Sequence, residues 1–259
     1  MKESIDDLYN QTLANMESTI NLLAERVPKP VLVPREDGFV YRYIEKSLHQ
    51  ALVQKSARIV SGLHAAKHLM NHGFVQEQAV LQRMLDETRE DATFLAYSII
   101  FNEKTPLHQK YLDAFFEEEH DENIALASTK KRHEPPRRKK IHAYIARMNA
   151  ETIDPSRSTE AFRTLHKTYS GYVHASSPYI MEMYGGNPTK FHVSGMGGTQ
   201  FHREHRADLW NHFYRSICTF CFIAKAFGDD VLFKKIHQYF LEFEKISANN
   251  FVSKEWDEI

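Results

Sequence analysis

At 259 residues, with 42% hydrophobic and 26% charged content, the chain has the composition of a soluble globular protein long enough to bury one large core. A formal net charge of −1 gives no global field to hold nucleic acid or an anionic membrane, so any such contact has to come from a local patch. No apolar run approaches the ~20 residues of a membrane span, and the acidic start MKESIDDLYNQ lacks the apolar segment of a secretory signal, so a cytoplasmic protein without a membrane partner is expected.

Ten glycines and nine prolines punctuate the sequence, many of them clustered. The long segments between them carry a 3.6-residue periodicity, and strand-like alternation is nearly absent, which predicts an all-α helical bundle. A first helix is expected over residues 3–26, with Leu8, Met16, Ile20 and Leu23 on one stripe. The three prolines of PKPVLVPRE (28–36) then force an extended connector, closing an N-terminal unit over 1–36. A long helix from Tyr41 to Asn71 follows, stopped by His72-Gly73, and another runs over 75–101. Thr105-Pro106 supplies an N-cap and a first-turn proline for a helix reaching Glu119.

The composition then breaks. An acidic block (117–122) precedes the basic STKKRHEPPRRKK (128–140), which reads as a charged linker over 120–140. Lys130, Lys131, Arg132, Arg137, Arg138, Lys139 and Lys140 lie close enough in sequence to form an RNA-phosphate patch instead, although the run holds no aromatic residue to stack a base. A short helix over 139–150 comes next. Asp154-Pro155 caps a helix ending at YSGYVHASS, and a Gly-rich loop fills 183–200. A helix over 200–227 ends at Gly228, and Asp229 caps the last one. Cys218 and Cys221, spaced as CTFC inside an apolar helix, read either as two small core residues or as a redox pair. The whole of 1–259 is taken as one helical domain, its core built from the helices near 41–72, 75–101, 157–175 and 200–227.

Three groups of residues carry candidate chemistry. Arg83 and Glu87 are four apart on an apolar helix, where buried charges require partners. They form either an intrahelical ion pair or part of a site. His174 closes a helix that also holds Ser170, Tyr169 and Tyr172; it is either a packed C-terminal histidine or a general acid/base. Arg83, Glu87 and His174 are expected to converge on one polar pocket. His202, His205 and His212 have spacings that suit metal ligands on one helix, and Arg206 precedes His212 by six residues.

An Arg-x-x-x-Glu on a central bundle helix followed by a helix ending Tyr-Ser-x-x-Val-His-Ala-Ser resembles an uncharacterised bacterial family related to the HEPN superfamily (higher eukaryotes and prokaryotes nucleotide-binding). The matching pieces are residues 47–99 and 168–180. The resemblance implies a four-helix up-down core with added helices, often a homodimer, working without a metal or other cofactor. It implies one of two activities: a ribonuclease effector of a toxin or phage-defence system, or a catalytically silent module that binds RNA, a nucleotide or a protein. Catalytic members carry an Arg, four to six residues, then His, the Arg holding phosphate and the His moving the ribose 2′-hydroxyl proton. Here no Arg stands at that distance before His174, only Lys167, whereas Arg206 and His212 satisfy the spacing.

Overall fold

The computed structural model describes residues 4–35, 38–118, 133–150 and 155–247, apart from the side chains of 155–159, 161–162 and 165–166. Helix α1 (Ile5–Ala24) opens with a reciprocal cap between Ser4 and Asp7, and its stripe of Leu8, Leu13, Met16 and Leu23 is buried. The expected connector is extended, but it pairs: β1 (Val31–Arg35) and β2 (Gly38–Arg42) form an antiparallel hairpin. The helix expected from Tyr41 therefore starts later. Helix α2 (Leu48–Asn71) begins where Ser47 and Gln50 cap each other's backbone, and Ile44, placed on its stripe by periodicity, lies outside it and is exposed.

Helix α2 ends at Gly73, whose N–H bonds the Met70 carbonyl while Phe74 N–H bonds that of Leu69. Gly73 has φ +76°, and a Cβ there would meet the Gly197 nitrogen at 2.4 Å, so only glycine fits where the 195–198 loop crosses the helix end. Helix α3 (Val75–Ile100) is central and packs on α2, on α5 (Arg138–Met148), on α6 (Pro155–Val173) and on α8 (Gln200–Ala226). Helix α4 (Pro106–Phe115) stops four residues before the expected end. The short α7 (Ser177–Met181), the two-residue strands β3 (Tyr184–Gly185) and β4 (Lys190–Phe191), and α9 (Asp230–Ser247) complete the described chain.

Of the four helices expected to build the core, α2, α3 and α8 supply fully buried Leu52, Leu63, Leu85, Phe94, Phe213 and Phe220. Helix α6 packs on α3 and contributes Tyr169 alone among its described buried apolar side chains, whereas α1 adds Leu8, Leu13, Met16 and Leu23 to the core. Each such side chain contributes about 1.5–3 kcal/mol. The protein is an all-α bundle carrying two small strand pairs, and no helix among the described residues is long and apolar enough to cross a membrane. Cys218 and Cys221 are free thiols in the middle of α8, and burial pushes the Cys221 thiol up to about 12, as suits core residues rather than a reactive pair.

Candidate functional site: a polar seam between three helices

The pocket expected from Arg83, Glu87 and His174 does not form among the described residues. Arg83 Nε lies 3.2 Å from Glu87 Oε1, but both side chains sit half-exposed on the flank of α3. His174, one residue past the end of α6, is exposed, and its backbone N–H bonds the Ser170 carbonyl. No hydrogen bond, ion pair or ring contact among the described residues links it to Arg83 or Glu87. Helix geometry explains this. Tyr169 and Tyr172 are three apart and share the inward face, whereas His174 is rotated about 200° from Tyr172. Ser170 is half-buried beside them. The motif points its tyrosines, not its histidine, into the protein.

The same rotation moves the polar centre along α3. Val75, Gln78, Ala79, Gln82, Leu85, Asp86, Arg89 and Ala92, at spacings of three and four, are all buried. Four of these eight are polar, and they form a seam. The Arg89 guanidinium pairs with Asp86 Oδ1 and donates to the His212 carbonyl at 3.0 Å. Arg215 Nη1 approaches the same Asp86 oxygen at 3.0 Å from α8. His212 Nδ1 lies 3.9 Å from it, and the Tyr169 and His212 ring centroids are 6.1 Å apart. Burial, with Arg215 close by, lowers the Arg89 pKa to about 10. Burial and the two guanidiniums hold His212 well below the usual imidazole range, so it is neutral.

The seam continues along α8 toward the surface. Tyr172 donates its hydroxyl hydrogen to Glu182 at 2.9 Å, and its oxygen stands 3.2 Å from His205 Nε2. Since the hydroxyl has one hydrogen, His205 Nε2 must be the donor there. His205 Nδ1 faces Asp208 Oδ2 at 3.3 Å without hydrogen-bond alignment. Burial lowers the His205 pKa and raises that of Asp208 to about 6. Among the described residues several buried atoms lack a partner: both side-chain atoms of Gln78 and Gln82, both His212 ring nitrogens, and Asp86 Oδ2. Such orphans cost about 1–3 kcal/mol each, so their concentration in one seam is unusual.

Two further expectations are corrected. Arg206 is exposed while His212 has no exposed surface, because six residues turn a helix through about 240° and separate the two side chains. They form no phosphate-and-base pair. The histidines read as metal ligands also scatter: His202 Nε2 bonds the Met70 carbonyl at 2.7 Å, His205 joins Tyr172, and His212 joins Asp86 and Arg89. No group of three or more His, Cys, Asp or Glu among the described residues is placed to hold a metal ion.

A second buried polar cluster adjoins the seam along α3, beginning at Glu90, one turn on from Asp86, and it claims one member of the basic run. Arg138 pairs with Glu90 and Asp91; His142 Nε2 is 2.9 Å from Glu90; Lys55 Nζ and the Tyr111 hydroxyl each reach Asp91 at 2.8 Å. Arg138 is thus a core clamp, not a phosphate ligand. Arg137, Lys139 and Lys140 are exposed, and Lys130, Lys131 and Arg132 lie outside the described residues. Reading the sequence for charge missed Asp86, Arg89, Arg215 and Glu182. The available signal was the heptad phase set by Val75, Leu85 and Ala92, which places Gln78, Gln82 and Arg89 at core positions. Compared with known protein families, curated proteins and solved structures, the chain matches none.

Proposed function

We propose that this protein is a HEPN-like cytoplasmic module that binds a small phosphate-bearing ligand such as a nucleotide, and that it does not cleave RNA. One observation carries the reading. His212, the histidine with two guanidiniums around it, is fully buried and neutral, where no ribose hydroxyl can come within the ~3 Å that proton transfer needs. His174 has the exposure a general base requires, but no described contact with a cation that would hold the phosphate. The polar seam, by contrast, reaches the surface at Arg215, whose side chain is part-exposed, and sets guanidiniums and hydroxyls on rigid helices there.

The test is direct. Purified protein incubated with single-stranded and structured RNA in EDTA should leave it intact, and expression in bacteria should not arrest growth. Titration with nucleoside monophosphates should give saturable heat. Metal-independent cleavage that disappears in His174→Ala or His212→Ala would replace this reading with the ribonuclease one.

A further inference from the structure

Beside the seam, α3, α5 and α8 enclose a cleft of about 130 Å³ whose polar lining is Asp86, Arg89, Glu90, Thr93, Arg215 and Thr219. We propose that this cleft is the phosphate subsite, and that it selects a phosphate group that keeps a proton over fully deprotonated oxyanions such as sulfate. The proposal rests on the reading that the module binds a phosphate-bearing ligand, and it names the part of that ligand the seam recognises.

Size comes first. Whole small-molecule sites run to about 300–1,000 Å³, so this cleft admits one tetrahedral oxyanion and leaves the remainder of any larger ligand outside. Access comes from Arg215, whose side chain is 32% exposed, while Arg89 and Asp86 are 5% and 3% exposed and form the floor. The charge balance favours an anion. Arg138 and Lys55 balance Glu90 and Asp91, which leaves the Arg89 and Arg215 guanidiniums against Asp86 and the nearby Asp208, whose carboxyl burial pushes up to about 6. A guanidinium has five N–H donors, and the described contacts use two on Arg89 and one on Arg215. Spare donors on a planar fork suit phosphate oxygens. Half-buried Thr93 adds a hydroxyl, whereas buried Thr219 already donates its own to the Arg215 carbonyl at 3.0 Å.

Selectivity follows from the remaining atom. Asp86 Oδ2 is buried and has no partner among the described residues, and an ionised carboxylate can only accept. Any oxyanion seated against it must donate a hydrogen. Hydrogen phosphate has one to give, and a phosphate monoester has one below its second pKa of about 6. Sulfate and phosphodiesters have none near neutral pH, and would set an anion's lone pairs against those of Asp86.

The full-length protein should be titrated calorimetrically with sodium phosphate, sodium sulfate and adenosine monophosphate at equal ionic strength. Inorganic phosphate should bind, with sulfate roughly 10- to 100-fold weaker, the equivalent of one charge-assisted hydrogen bond. Adenosine monophosphate should bind more tightly at pH 5.5 than at pH 7.5 if the ligand is an ester. Parity of the two pH values with strong inorganic phosphate binding identifies free phosphate as the source, within the same proposal. Arg215→Gln, which leaves Asp86 paired with Arg89, should weaken phosphate by a similar factor with an unchanged circular dichroism spectrum. Asp86→Asn should bring sulfate up toward phosphate, because the amide can donate. Should that variant not fold, the phosphate-to-sulfate ratio of the wild type decides alone. Sulfate binding as tightly as phosphate, or phosphate binding untouched by Arg215→Gln, overturns the proposal. Nucleotide binding with no effect of Arg215→Gln removes this subsite while leaving the binding module; cleavage of RNA removes the module in its own assay.

Discussion

The two polar clusters on α3 are built from the same residue types and end in opposite states. In the first, Glu90 is held by Arg138 and His142, and Asp91 by Arg138, Lys55 and Tyr111, so that both carboxylates are paired and only Arg138 Nε lacks a partner among the described residues. In the other, Asp86, Arg89, Arg215 and His212 leave a carboxylate oxygen and two ring nitrogens without partners among the described residues, and Gln78 and Gln82 extend the deficit along the helix. A buried charge network is tolerated when complete, and an incomplete one is destabilising. The contrast therefore separates architecture from site: the complete cluster fixes α5 against α3, and the incomplete one is where a ligand has something to add.

Breaking the complete cluster should give the largest effect. Arg138→Ala strands Glu90 and Asp91 in the interior and should cost about 3–5 kcal/mol in urea unfolding, with hydrogen exchange rising first in α5. A loss under about 1 kcal/mol would mean that the clamp is not structural. Acid should come next. His108 stacks on Phe94 at 4.0 Å, its Nε2 bonding the Phe94 carbonyl and its Nδ1 accepting from Thr105, and burial holds its pKa down at about 4. His205 and His212 are depressed as well. A depressed pKa means that the unfolded chain binds the proton first. The stability these groups confer is complete above the unfolded value of 6.5 and is lost as pH falls, by about 3 kcal/mol for His108 at pH 4.

Asp208 and Glu182 act in the reverse direction, since burial raises both. The stability linked to the Asp208 proton is complete below its unfolded value of 3.8 and is lost as pH rises through about 6. Three imidazoles outweigh two carboxylates, so the urea midpoint should drop between pH 7 and pH 5, and less steeply in a His205→Gln/His212→Gln variant. A midpoint that rises on acidification would reverse this balance.

Two smaller effects sharpen the contrast. Gln82→Met should raise stability by about 1 kcal/mol, because it removes two orphaned polar atoms while keeping the shape, opposite in sign to any change in the complete cluster. Destabilisation would show that Gln82 is satisfied in solution. Arg206→Ala, on the exposed face of α8, should stay within about 0.5 kcal/mol and leave phosphate binding unchanged.

Much of this bundle was legible from periodicity and caps. Thr105, Gly73 and Gly228 mark real helix ends, as their residue types indicated, whereas the caps at Ser4 and Ser47 went unread and periodicity placed the start of the second helix too early. The hairpin escaped because a two-stranded ribbon buries little: only Val33 on β1 and Val40 and Arg42 on β2 are even half-buried, so no alternating pattern exists to be read. Of the site, the helices and the Tyr169–Tyr172 motif were visible, but not the direction of each residue. Arg83 and Glu87 differ from Asp86 and Arg89 by two or three positions, which is the difference between the flank of a helix and its buried face. Sequence spacing alone leaves that phase open, and packing on α6 and α8 sets it.

The Arg138 clamp also bears on how the chain can be divided. Residues 119–132 separate α4 from α5 in sequence, yet α5 is joined to α3 by two carboxylates and a histidine, and to the apolar core by Ile141 and Ile145. Two polypeptides, one ending at Glu118 and the other starting at His133, carry complementary halves of one interior. Co-expressed, they should reassemble into a bundle with the melting behaviour of the intact chain, and Arg138→Ala should abolish that complementation. The gene could then be split at this point to make the protein's assembly conditional on the meeting of its halves.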